Sequence, residues 1–124
     1  MALPNFGNEK KRYEYLVNGI LHRDDGPAIY YPDSKNFFYY KHGLLHRQNG
    51  PAKYSAFLQT TEYYQFGVLH REDGPAVSRE RNYTLHYVPT ESGYQSVDYK
   101  AGLEFWLGGK KVTEEFFWRF NGKK

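Results

Sequence analysis

The sequence contains no cysteine and a single methionine. A disulfide framework, a thiolate metal site and a cysteine nucleophile are therefore excluded. It also lacks any stretch approaching the ~20 consecutive apolar residues of a membrane helix. Its opening, MALPNFGNEKKRYEYL, puts proline, glycine and charges where a secretory signal needs an unbroken apolar run, so the expectation is a cytoplasmic chain that keeps its start. Charge of one sign is scarce as well. Seventeen basic and 14 acidic residues interleave along most of the chain, for a net charge of +3, which is a weaker polyanion signal than a clustered basic arm. The exceptions are short runs at Lys10-Lys11-Arg12, Lys110-Lys111 and Lys123-Lys124.

Aromatic residues are abundant. Thirteen tyrosines, nine phenylalanines and two tryptophans among 124 residues argue against disorder, which goes with few rings. The length fits one domain with a modest core.

The dominant feature is an internal repeat. Leu21, Leu45 and Leu69 open LHRDDGPA, LHRQNGPA and LHREDGPA at a constant spacing of 24 residues, the signature of stacked supersecondary units. Before each motif stands an aromatic stretch ending in glycine: YEYLVNG, FFYYKHG and TEYYQFG, with a degenerate fourth, EFWLGGK. In that last unit Val112 and Thr113 occupy the His-Arg positions. Aromatic and β-branched residues fill strand positions, while Asn18-Gly19, Gly108-Gly109 and the Asp/Asn-Gly pairs of each motif supply turns. Pro27, Pro51 and Pro75 fix an extended exit, and Ala28, Ala52 and Ala76 mark a spot too crowded for anything larger.

The predicted architecture is mainly β: a single elongated antiparallel sheet of tandem hairpin repeats with a short C-terminal capping helix. One domain spans 1–124, with repeats at about 13–36, 37–60 and 61–84, an inserted or diverged hairpin at about 82–102, and a degenerate last repeat with its cap at 103–124. The cap is read from TEEFFWRFNGKK, where Thr113 is an N-cap, Glu114 and Glu115 suit the helix dipole, and Asn121-Gly122 is a stop.

Strand alternation sorts two faces. Tyr15, Tyr39, Tyr63 and Phe105, with Tyr13, Phe37, Thr61 and Leu103, predict the core. On the opposite face Leu16, Tyr40, Tyr64 and Trp106 are mixed with Glu14, Phe38, Glu62 and Glu104. An exposed row of Phe38, Tyr40, Tyr64 and Trp106, flanked by Arg79 and Arg81, is a candidate contact surface, since tyrosine, tryptophan and arginine are the usual interface anchors. Its competitor is cover by the inserted hairpin or the terminal helix.

His22, His46 and His70 invite a metal or catalytic reading, but equivalent residues in adjacent hairpins lie roughly 10 Å apart or more, too far to share one zinc. No nucleophile recurs beside them, and the Asp25 position becomes Asn49 in the second copy. A residue needed once per unit builds the unit. His22, Arg23, His46, Arg47, His70 and Arg71 are therefore assigned to structure, with imidazoles and guanidiniums bonding the turns, and no catalytic residue, metal or cofactor is assigned.

The pattern Tyr-x-x-x-Gly-x-x-His-Arg-x-(Asp/Asn)-Gly-Pro-Ala, and the ending WLGGKKVTEEFF, resemble the MORN-like repeats of many small phage and bacterial proteins and, more distantly, the MORN repeat. The likeness covers about 12–78 and 103–118; residues 79–102 have no counterpart. The resemblance implies a scaffold or contact surface without family-wide catalysis, and a host protein, such as one of a bacterial defence system, as the bound partner; a homodimer through the aromatic face is the quieter version. The alternative is binding to nucleic acid or an anionic membrane through aromatic stacking beside Arg79, Arg81, Lys110, Lys111, Arg119 and the terminal lysines. A third class, a hydrolase or nuclease using His86 or a motif histidine, finds no converging site motif.

Overall fold

The computed structural model describes residues 11–121. Lys10, Gly122 and the terminal lysines lie outside them. The first unit consists of β1 (Tyr13–Glu14), β2 (Leu16–Val17), β3 (Ile20–Leu21) and β4 (Ile29–Tyr30). The second repeats it as β5 (Phe37–Phe38), β6 (Tyr40–Lys41), β7 (Leu44–Leu45) and β8 (Lys53–Ser55). The third follows as β9 (Thr60–Glu62), β10 (Tyr64–Gln65), β11 (Val68–Leu69) and β12 (Val77–Arg79). Then come β13 (Tyr83–Thr90), β14 (Gly93–Tyr99), β15 (Gly102–Leu107), β16 (Lys110–Val112) and one helix, α1 (Glu114–Phe120). Among the described residues no helix is long and apolar enough to cross a membrane.

Eight strands form one antiparallel sheet in the order β1-β4-β5-β8-β9-β12-β15-β16. The strands β2-β3, β6-β7 and β10-β11 are separate two-stranded tips. The break between sheet and tip falls on a tyrosine each time. Tyr15 donates its amide to Ala28 O at 2.8 Å and accepts from the His22 amide at 3.1 Å, and Tyr39 and Tyr63 repeat both bonds. The chain thus changes partner across one residue, from the return strand to its own tip.

The tips turn through two residues with positive φ: Asn18 and Gly19 at 52° and 77°, His42 and Gly43 at 50° and 80°, Phe66 and Gly67 at 46° and 88°, Gly108 and Gly109 at 58° and 86°. This is the type I′ geometry that matches strand twist. Asn-Gly and Gly-Gly adopt it readily. His42 tolerates it, but Phe66 does so against its preference, so something outside that turn must hold it.

Few apolar side chains are buried among the described residues. Ala28, Ala52 and Ala76 are 0% exposed, joined by Val77, Phe105 and Phe117. Register explains the alanines. Ala28 lies between Tyr15 and Tyr39, Ala52 between Tyr39 and Tyr63, and Ala76 between Tyr63 and Phe105. Rings and methyls therefore alternate across the sheet, and a larger residue at alanine would collide with rings on both sides.

The face expected to be the core differs from expectation. Phe105 is buried, with Phe117 of α1 at 4.8 Å between ring centroids, but Tyr15 is 40% and Leu103 59% exposed. On this face Tyr15, Tyr39 and Tyr63 each carry an arginine of their own unit on the ring. The Arg23, Arg47 and Arg71 guanidinium carbons lie 3.9, 4.0 and 4.0 Å from the centroids of Tyr15, Tyr39 and Tyr63. Long amphipathic side chains do here what a second layer does elsewhere.

The helix forms where the sequence placed it. Thr113 Oγ1 accepts from the Phe116 amide at 3.1 Å, and Asn121 closes the C-terminus on Phe117 O.

The arginine sandwich gives a specific expectation. A Cβ on Gly74 would stand 2.9 Å from the Arg71 guanidinium carbon, so Gly74→Ala expels the guanidinium and costs about 1–2 kcal/mol through the lost ring and carbonyl contacts. In an Arg71→Ala background the same change should cost far less. A double-mutant cycle by denaturant unfolding reads the difference.

Candidate interaction surface

The His-Arg motif is occupied internally. His22 Nδ1 accepts the His42 amide at 2.9 Å, His46 Nδ1 the Phe66 amide at 3.0 Å, and His70 Nδ1 the Gly108 amide at 2.8 Å. An amide can only donate, so Nδ1 is unprotonated and the ring proton sits on Nε2. That nitrogen faces Asp24 in the first copy and Glu72 in the third, both at 3.1 Å. Each histidine thereby grips the turn of the next unit. The rings follow, with His42 tilted against His22 at 4.5 Å and Phe66 against His46 at 4.1 Å between centroids.

Each arginine serves its own turn. Arg23, Arg47 and Arg71 donate to the carbonyls of Pro27, Pro51 and Pro75 at 3.1–3.2 Å. Nε of Arg23 and Arg71 reaches Asp25 and Asp73; the second copy has Asn49 there. Gly26, Gly50 and Gly74 let the guanidinium lie against the backbone. Among the described residues no three histidine, aspartate or glutamate side chains gather to hold a metal.

The opposite face is different in character. Register places Glu14, Ile29, Phe38, Lys53, Glu62, Val77 and Glu104 in one row across the strands. Tyr64 and Trp106 lie on the same face, two residues beyond Glu62 and Glu104, and donate to those carboxylates at 2.8 and 3.0 Å. They line a cavity of about 360 Å³, open to solvent, with Arg79, Tyr83, Leu85 and Tyr99. Arg79 also lines the cavity, and it bonds Glu104 at 2.6 Å with both side chains largely buried, at 11% and 17% exposure. Phe38 and Tyr40 are half-buried and sit further along the sheet, Phe38 against Lys53 and Tyr31. Arg81 does not join the row. It donates to Phe57 O at 2.7 Å and lies over the Phe57 ring.

The row is therefore partly roofed. Tyr83 and Tyr99, stacked at 5.0 Å at the root of the β13-β14 hairpin, stand beside Arg79. These cavity walls were not singled out from sequence, although alternating Tyr83, Leu85, Val97 and Tyr99 carried the signal.

Electrostatics follow from the burial. Burial pushes the Tyr64 phenol well above its ordinary range, and the neighbouring Glu62 carboxylate adds to this. Burial also opposes the charge on Glu104, yet hydrogen bonds from Arg79 and Trp106 outweigh it and hold the carboxyl below its usual value. His46 is lowered, first by burial and then by Lys41.

Comparison with protein-family models, curated proteins and solved structures gives no match. The surface has to be interpreted from its own chemistry.

Two expectations follow. His46 takes up protons less readily folded than unfolded, so its contribution is complete above the ordinary histidine value of about 6.5 and is lost as pH falls through the lowered folded value. The unfolding midpoint should drop across that window, and less so in His46→Gln; replacing all three motif histidines by glutamine should lower Tm at every pH. Separately, Arg79→Ala leaves Glu104 without its principal partner and should cost about 3 kcal/mol, measured by thermal unfolding at neutral pH. The loss should shrink in acid, where Glu104 is neutralised.

Proposed function

We propose that this protein is a non-enzymatic binding module that recognises a partner protein through the aromatic face around Tyr64 and Trp106. The supporting observation is a division of labour. The histidines and arginines of the motif are engaged within and between units, whereas Tyr64 and Trp106 stay half-open around a solvent-accessible cavity and Tyr40 is half-open further along. Rings with a polar handle, set beside a buried ion pair, are the composition of interface hot spots.

The resemblance to MORN-like repeats of phage and bacterial proteins supplies the partner class. On that reading the chain is a small phage protein that inhibits a host protein, such as a component of a defence system, by direct binding rather than by chemistry. The alternative, polyanion binding, is weakened by the pairing of the basic groups it needs. Arg79 and Lys111 both face Glu104, Arg119 faces Glu115, and Arg81 is bound to a loop carbonyl. Fewer free cations are left for phosphates.

The test is capture from bacterial lysate with immobilised protein, followed by titration of the purified partner. Tyr40→Ala and Tyr64→Ala should each weaken binding by about tenfold or more while circular dichroism stays unchanged. Affinity unaltered by both, and by Trp106→Ala, removes this face. Affinity that falls steeply with salt points instead to a polyanion.

A further inference from the structure

The two longest strands lie outside the eight-stranded sheet. β13 and β14 pair only with each other, and a lone two-stranded ribbon is marginal in water. Its root is fastened by the Tyr83–Tyr99 stack and by Asn82 Oδ1, which accepts the Ala101 amide at 2.7 Å. Towards its tip the ribbon is exposed, with Tyr87 at 79% and Tyr94 at 71%.

Its two edges are not alike. In β13 the register shifts between Leu85 and Val88, Tyr87 sits at φ 61°, and Pro89 has no amide hydrogen to offer. Bulges and prolines are the devices by which sheet edges keep other strands away. β14 has neither. Seven residues, Gly93–Tyr99, run without proline, bulge or lysine, and Asp98 is their single charge. No backbone hydrogen bond joins the outer edge of β14 to another described residue. The edges of the main sheet offer much less, since β1 has two residues, and β16 has three, of which Lys110 and Lys111 are charged.

We propose that β14 pairs antiparallel with β14 of a second copy, joining two arms into a four-stranded ribbon. Charge favours this occupant. About a two-fold axis through Ser96, Asp98 of each copy stands opposite Tyr94 of the other, so like charges do not meet. Closure favours it too. The outer strands of the ribbon become two β13 strands with their bulges and prolines, no unguarded edge remains, and association stops at two. A strand lent by another protein would leave its own far edge open. The dimer leaves Tyr40 and Tyr64 free, so it stands independently of the binding function proposed above.

Light scattering across a concentration series should give twice the 14.7 kDa chain mass, falling towards the single mass on dilution. Ser96→Lys sets lysine against lysine and should raise the dissociation constant by about tenfold or more; Thr90→Lys, on the guarded strand, should not. Because the chain has no cysteine, Ser96→Cys gives a readout independent of stability. Residues opposite each other across an antiparallel pair lie within disulfide reach, so mild oxidation should yield a covalent dimer from Ser96→Cys and none from Thr84→Cys. A wild-type chain that stays monomeric throughout overturns the proposal. So does a dimer that survives Ser96→Lys and fails to cross-link, or a monomer that recruits a strand of another protein to β14.

Discussion

The arrangement depends on one hydrogen bond made three times: an unprotonated imidazole nitrogen accepting the amide of the next unit's turn. That amide belongs to the first residue of a type I′ pair, the position with positive φ. In one of the three junctions the residue there is phenylalanine, which resists this conformation; in another it is histidine, which tolerates it better. The same contact that ties one unit to the next therefore holds its turn in shape. Removing it releases the turn and, at the part-buried His46–Phe66 junction, also leaves an amide without its acceptor.

The arginine beside each histidine solves a different problem. A single sheet has two faces, and among the described residues only the short helix and one hairpin are available to cover them. The guanidinium stacks on the tyrosine of its own unit, and its stem covers surface that a second layer would otherwise protect. This needs glycine three residues on, because a Cβ would strike the guanidinium, and a proline whose carbonyl is free to accept. The alanine that follows fits between two rings. Each position of His-Arg-x-(Asp/Asn)-Gly-Pro-Ala thus answers a separate steric or hydrogen-bonding demand.

Much of this was legible in the sequence because it was written three times. The period gave the hairpins and the antiparallel sheet, and Thr113 with the two glutamates after it gave the terminal helix. Two features were not legible. Alternation assigned Tyr15 and Leu103 to a core, but a period of two only says that residues share a face, and what covers that face is decided by side chains from elsewhere in the unit. The cavity walls were hidden for a related reason. Tyr83, Leu85 and Tyr99 come from the stretch that breaks the period, and a segment with no second copy carries no register by which to align it with Tyr64 and Trp106.

The fourth unit shows how the pattern ends. A histidine is useful only where another turn follows, and after β16 the described residues continue as α1 instead. Val112 and Thr113 stand where histidine and arginine would be, Val112 pairs with Phe105 in the last ladder, and Thr113 caps a helix instead. The helix then supplies Phe117 to the ring of Phe105, which has no arginine of its own to cover it. Loss of the motif and gain of the helix are consequently one change: the last ring in the row, deprived of its guanidinium, is buried by a phenylalanine, and it becomes the only ring of that row to be fully enclosed.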